Sequence, residues 1–196
     1  MKKEVVEEII YDKPYVDVDV VKRFIKSLKI PKEYFKIDLD KFFSNDFSIY
    51  MSIRENAGKT TQALILGLVL RKLYDTRIEY MRCDEKQIAK SSVEALFHTV
   101  EGLGYIEKIF PKQYNHIKYS PTEKAFKLCW VDDNGVESCI EKDAVCVLHS
   151  LENWQKYKSS YNSFKGDFIV FDEFLDTSRP TYRQMTELMN NISTIG

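Results

Sequence analysis

Two short stretches of this sequence could do chemistry together. The first is Gly58-Lys59-Thr60-Thr61, a glycine, a cation and two hydroxyls just ahead of a run of helix formers from Gln62 to Leu70. A polyphosphate needs several donors converging on one anion. The backbone N–H groups of a loop and of the helix turn after it supply them, at the positive end of the helix dipole. In that setting the N–H groups from Asn56 and Ala57 onward line the phosphates and Gly58 permits their close approach. Lys59 reaches the β- and γ-phosphates, the Thr60 hydroxyl ligates Mg²⁺, and Thr61 meets the α-phosphate. The run ends a Walker A pattern, with one departure: Ile53, five positions before Gly58, stands where the full signature has glycine.

The second stretch is Asp167-Phe-Ile-Val-Phe171-Asp172-Glu173. Its consecutive large apolar residues suit a strand buried on both faces of a parallel sheet, and they run straight into two carboxylates. Ligands of such sheets sit at the carboxyl ends of strands. Side chains alternate there, so one carboxylate points toward buried surroundings, where a metal or phosphate site offsets the cost of a buried charge. Read as Walker B, the pair puts Asp172 in the Mg²⁺ shell through water and makes Glu173 the general base on the attacking water. Taken singly, each stretch also suits an ordinary helix start or a solvated strand end. It is the two together that point to a nucleotide.

To position these groups the chain needs a strand before the loop, expected from Phe47, and a helix after it through Leu70. Upstream, Asp17 to Lys29 reads as an amphipathic helix with Val18, Val21, Phe24, Ile25 and Leu28 on one face. A short turn follows Pro31, with Tyr34 and Phe35 as packing aromatics more readily than as adenine stackers. Downstream, Arg77 to Cys83 is a short strand, and Asp84 caps a long helix running to Gly102. Tyr105 to Phe110 is a brief amphipathic turn. Glu123–Val131 and Val136–Glu141 form a hairpin about Asn134-Gly135, since Asn-Gly supplies the positive φ of a tight turn. Ala144 to His149 is an apolar strand, Ser150 caps the segment Leu151 to Lys158, and Thr181 to Ile192 is helical. The expected fold is α/β, with a mainly parallel central sheet flanked by helices and an antiparallel hairpin insertion near 123–141. Residues 1–45 form a helical lead-in and 46–196 the core.

With 196 residues, 44% of them hydrophobic, the chain suits one globular domain. A net charge of −1 offers no global attraction to nucleic acid, so polyanion contacts must come from local lysine clusters. The four cysteines, Cys83, Cys129, Cys139 and Cys146, contain no Cys-x-x-Cys pair, and His98, His116 and His149 are too scattered to complete a zinc site. Reduced thiols are expected, although Cys129 and Cys139 flank the hairpin closely enough for a disulfide to be conceivable. No signal-peptide core opens the chain, and the longest apolar run, Ala63 to Leu70, is far too short for a bilayer. A soluble, intracellular protein is expected.

With both motifs placed, the chain resembles the ATPase domain of terminase-like viral DNA-packaging motors, and within them the encapsidation ATPases of small podophages. The resemblance covers most of residues 46–192. It is carried by Ile53-Arg-Glu-Asn-Ala-Gly-Lys-Thr60, Tyr80-Met-Arg82, Trp154-Gln-x-x-Lys158-Ser and Ile169-Val-Phe-Asp-Glu-Phe174. Large terminases also often lack the first Walker glycine and keep an arginine in the loop. Here that residue is Arg54, with Glu55 at the position where related motors often carry it.

The resemblance implies a P-loop NTPase of the additional-strand, catalytic-glutamate type, using ATP and Mg²⁺, with Glu173, Lys59 and Arg54 as catalytic groups. It further implies a homo-oligomeric ring, a pentamer, that docks on a viral portal and procapsid in the host-cell cytoplasm. The ring would pump double-stranded DNA, admits a packaging RNA, and has no membrane partner. Candidate DNA grips are Arg82, Lys86, Lys90, Lys156 and Lys158, each of which also suits a plain solvated side chain. Lys158 could instead reach the next subunit's nucleotide. The last sheet strand, the arginine inserted into a neighbouring site and a nuclease-like domain are expected beyond Gly196. Rival readings are another nucleic-acid translocase or helicase, a P-loop small-molecule kinase, and a nucleotide-regulated binding protein without turnover. Glu173 argues against the kinase, whose substrate is its own nucleophile.

Overall fold

The computed structural model describes residues 16–45, 48, 58–138, 141–151 and 167–172. The expected strand from Phe47, apart from Ser48, lies outside them, as do the segment Leu151–Lys158 beyond its first residue and the helix over Thr181–Ile192.

The lead-in helix forms as its periodicity dictates. Helix α1 spans Val18–Ser27, and its first turn is capped by the Asp17 carboxylate, which accepts from Asp19 N at 3.0 Å and Val20 N at 3.1 Å. Asp17 N donates to the Tyr74 hydroxyl at 3.0 Å, which ties the start of α1 to the far end of the main helix. A short α2, Leu39–Phe43, is capped by Asp38. Lys22 pairs with Asp40 across the two helices.

Helix α3, Lys59–Tyr74, is the centre of the molecule. It is apolar all round, and every residue from Leu64 to Leu70 is buried, which is the signature of a helix enclosed on all sides rather than lying on a surface. Gly67 sets how deep it lies. A Cβ there would stand 2.6 Å from Ile78 Cγ1 and 2.9 Å from Phe168 Cδ1, so only glycine lets α3 press this closely on the two strands that carry those residues.

Those strands are β1, Arg77–Arg82, and β6, Asp167–Phe171. They run parallel, with Ile78 opposite Phe168 and Tyr80 opposite Val170. On its other edge β1 pairs in parallel with β5, Cys146–Ser150. Beyond β5 the sheet turns antiparallel through β3, Ala125–Val131, and β2, His116–Ser120, giving the order β2-β3-β5-β1-β6. Ile78, Tyr80, Phe168 and Val170 belong to the main core beside α3. The residues alternating with them, Met81, Ile169 and Phe171, join Leu151 in a second apolar cluster.

Two expectations change here. The hairpin is present, with Gly135 at φ 79° and the Asp132 carboxylate accepting from Asn134 N and Val136 N. Among the described residues its return strand, β4, is Glu137–Ser138, and Glu141 N donates to the Leu128 carbonyl at 2.8 Å; β3 is also hydrogen-bonded to both β2 and β5. Among the described residues the hairpin region is thus the outer part of one mixed sheet, which is parallel through β5-β1-β6. The long helix expected over Asp84–Gly102 is broken into a 3-10 turn at Glu85–Ile88, α4 at Lys90–Val93 and α5 at His98–Gly102. Asp84 does cap the first piece, with Gln87 Oε1 accepting from Asp84 N at 3.1 Å. Ala89 then turns extended, at ψ 153°, and the Ser92 hydroxyl donates to the Lys86 carbonyl. Serine competes in this way with the bonds a continuous helix would need. Val93, Phe97 and Val100 keep the spacing of one helical face, and the break lets Ile88, which lies off that face, reach the core as well.

Candidate functional site

The site is built where the amino end of α3 meets the carboxyl end of β6. Gly58 precedes α3 in the left-handed region, φ 75° and ψ 22°, and its carbonyl accepts from Gln62 N at 2.9 Å to start the helix. Glycine adopts this conformation without strain. The Tyr34 ring closes over it, since a Cβ on Gly58 would lie 3.1 Å from Tyr34 Cγ. The first turn of α3 carries no acidic residue, so nothing in that turn opposes an anion at the positive end of the dipole.

Thr60, in that first turn, donates its hydroxyl hydrogen to Asp172 Oδ2 at 2.8 Å, across 112 residues of sequence. Asp172 directly follows β6, and its N–H donates to the Met81 carbonyl at 3.0 Å, extending the β1–β6 ladder by one rung. Its carboxylate is thereby held at the strand end where sheets of this type bind ligands. The same Oδ2 accepts a second hydroxyl, from Tyr80 at 2.8 Å. Arg82 Nε donates to the Tyr80 oxygen at 3.0 Å, and Arg82 Nη2 stands 3.7 Å from Asp172 Oδ2. Tyr80 is fully buried, and its hydroxyl is held far above the ordinary tyrosine value, by burial first and by the Asp172 charge next. It therefore stays protonated and acts as a donor. Arg82 and Asp172 keep only 18% and 19% of their side-chain surface, so their attraction acts in a partly desolvated setting, where charges couple more strongly than at the surface.

The structure thus brings together Gly58, Lys59, Thr60 and Thr61 on one element and Asp172 on another. Lys59 and Thr61 are both half-buried at the start of α3. Arg82, expected as a DNA grip, is in the Asp172 cluster. Lys86 is exposed on the 3-10 turn after β1, and Lys90 opens α4. Arg54, Asn56, Ala57, Glu173, Lys156 and Lys158 lie outside the described residues, as does Cys139.

Tyr80 is the site residue that motif reading passed over. Its signal was present in strand alternation: Tyr80 and Arg82 share a face of β1 near the strand end beside Asp172. Elsewhere, Cys83, Cys129 and Cys146 are buried thiols outside any disulfide. Burial pushes the Cys129 thiol up to about 11 and the Cys146 thiol well above its usual value, which makes both poor nucleophiles.

Among the described residues there is no group of three or more His, Cys, Asp or Glu side chains that could hold a metal ion, and no helix long and apolar enough to cross a membrane. Comparison with known protein families, with curated proteins and with solved structures finds no match.

Proposed function

We propose that this chain is a Mg²⁺-dependent P-loop ATPase of the additional-strand type. The resemblance described above extends that reading to the motor subunit of a ring that drives double-stranded viral DNA into a preformed capsid. The observation that carries the ATPase reading is the Thr60–Asp172 hydrogen bond of 2.8 Å, which joins the two motifs that sequence alone had to treat separately. An ordinary helix start and a solvated strand end give no reason for a hydroxyl and a carboxylate to meet at that point.

The donor set fits Mg²⁺. It is all oxygen, one hydroxyl and one carboxylate, and such ions take few protein ligands and draw the rest from phosphates and water. Bound there with ATP, the ion would neutralise charge developing on the β- and γ-phosphates. The chain's own residues do the remaining work. Backbone N–H groups from Asn56 to Thr61 cradle the phosphates, and Lys59 adds a positive charge beside the γ-phosphate. Asp172 holds the Thr60 hydroxyl in place. Glu173, the next residue, takes a proton from the attacking water, and Arg54 is assigned to the transition-state charge. ATP turnover would then alter the subunit's grip on DNA, made through phosphate contacts and so indifferent to sequence.

The test is ATP turnover by the full-length protein, with and without double-stranded DNA, beside Lys59→Ala and Glu173→Gln. DNA-stimulated turnover abolished by both substitutions is the expected result. Turnover indifferent to DNA refutes the packaging motor, and turnover that survives Glu173→Gln refutes the assigned base.

A further inference from the structure

We infer that Tyr80, oriented by Arg82, is a positioning residue for the cation that accompanies the nucleotide. The inference rests on the ATPase reading and deepens it by assigning two side chains of β1 to the metal end of that site.

The assignment follows from counting hydrogens. A tyrosine hydroxyl has one hydrogen and accepts through its oxygen. Arg82 Nε donates to that oxygen at 3.0 Å, so the single hydrogen of Tyr80 is left for Asp172 Oδ2, at 2.8 Å. The same carboxylate oxygen takes the single hydrogen of Thr60, also at 2.8 Å. With its hydrogen committed to Asp172, Thr60 Oγ1 presents only lone pairs to its remaining surroundings, and that is the orientation a metal ligand requires. Tyr80 thus acts at one remove, by holding the carboxylate that orients the Thr60 hydroxyl.

The backbone supports the same conclusion. Parallel register sets Met81 opposite Phe171, so β1 and β6 end side by side, with Arg82 and Asp172 as the next residues of each. The Arg82 guanidinium lies over the Tyr80 ring, 5.7 Å from its centroid, and buries the hydroxyl from the strand end. Tyr80 is 0% exposed, so its hydroxyl faces no bulk water that could replace either partner.

The test is binding of a fluorescent ATP analogue to the full chain, once in a Mg²⁺ titration and once in EDTA. Tyr80→Phe keeps the buried ring and removes only the hydroxyl. Because Tyr80→Phe loses one hydrogen bond to a charged group, the Mg²⁺ concentration at half-maximal effect should rise by about tenfold or more, with affinity in EDTA unchanged. Arg82→Lys keeps the charge and loses the Nε donor. It should shift the same midpoint upward by less, and in the Tyr80→Phe background add only what its own ion pair with Asp172 supplies, well short of full additivity. An unmoved midpoint in Tyr80→Phe refutes the proposal, and so does an equal loss of affinity with and without Mg²⁺, which marks simple core damage. Full additivity of the two substitutions removes Arg82 from it. Failure of the underlying reading looks different: the unaltered chain binds no nucleotide, or Lys59→Ala binds it as well as the unaltered chain does.

Discussion

In the proposed ATPase, the Thr60 hydroxyl that donates to Asp172 also serves the cation, and this sets what each substitution should do. Thr60→Val keeps the shape and β-branching of the side chain and deletes the hydroxyl, leaving Asp172 with one donor fewer and the cation without its protein ligand. The Mg²⁺-dependent part of nucleotide affinity should fall by about tenfold or more, since a hydrogen bond to a charged group contributes roughly 1.5–3 kcal/mol. Thr60→Ser should restore most of it, and calorimetric titration with and without Mg²⁺ measures both. A valine variant that still responds to Mg²⁺ would exclude Thr60 as a ligand. The residues of this pair were legible in the sequence because their chemistry is local: a Gly-Lys-Thr before a helix and an apolar run ending in Asp-Glu each announce themselves. Tyr80 was not legible as a site residue, and Arg82 was read only as a DNA grip. Alternation gives their shared face, but only the strand order puts that face beside Asp172.

At the scale of elements, α3 decides whether the two motifs meet, and Gly67 decides where α3 lies. Two effects oppose each other in Gly67→Ala. Alanine favours an interior helical position by about 1 kcal/mol. Its Cβ, however, would come within 2.6 and 2.7 Å of Ile78 and within 2.9 Å of Phe168, on side chains buried in the core. Overpacking of this kind costs about 1–3 kcal/mol, so the steric effect outweighs the propensity. Gly67→Ala should lower stability to denaturant by roughly 1 kcal/mol net. It should also weaken nucleotide binding, because α3 must move away from β1 and β6 and carry Thr60 from Asp172. A variant as stable as the original would mean that propensity alone governs this position. Sequence reading found α3 and α1 through their own composition and period, and Asp17 and Asp84 as caps. It failed over 84–102, where a serine back-bond and an extended Ala89 interrupt a stretch that composition alone lets run on as helix. Propensity sums over a window do not register a contact to the core that is worth more than the helix.

At the scale of the whole molecule, the sheet order links the proposed nucleotide end to the surface proposed to meet DNA. β2 went unread because His116–Ser120 carries no turn signal or long apolar run of its own, and it becomes a strand only through its pairing with β3. The Walker B strand was legible, but its place beside β1 was not, and that place gives the coupling route. β1 ends in Arg82 at the Asp172 carboxylate and continues through Asp84 into the capped turn that exposes Lys86, with Lys90 opening the next helix. Asp172 is thereby joined through Arg82 to the segment of chain that carries Lys86 and Lys90. With a net charge of −1 the protein has no general attraction to a polyanion, so the salt dependence of DNA binding should come from a few such residues. Each phosphate contact contributes about 0.9 to the slope of log affinity against log salt, so Lys86→Ala with Lys90→Ala should flatten the slope by about one to two in the assembled ring. Arg82→Gln should leave the slope unchanged, since its guanidinium is committed to Tyr80 and Asp172. Fluorescence anisotropy of a labelled duplex across a salt series distinguishes the cases. A slope that falls with Arg82→Gln and not with the lysine pair would return Arg82 to the DNA surface and leave the turn without a role in grip.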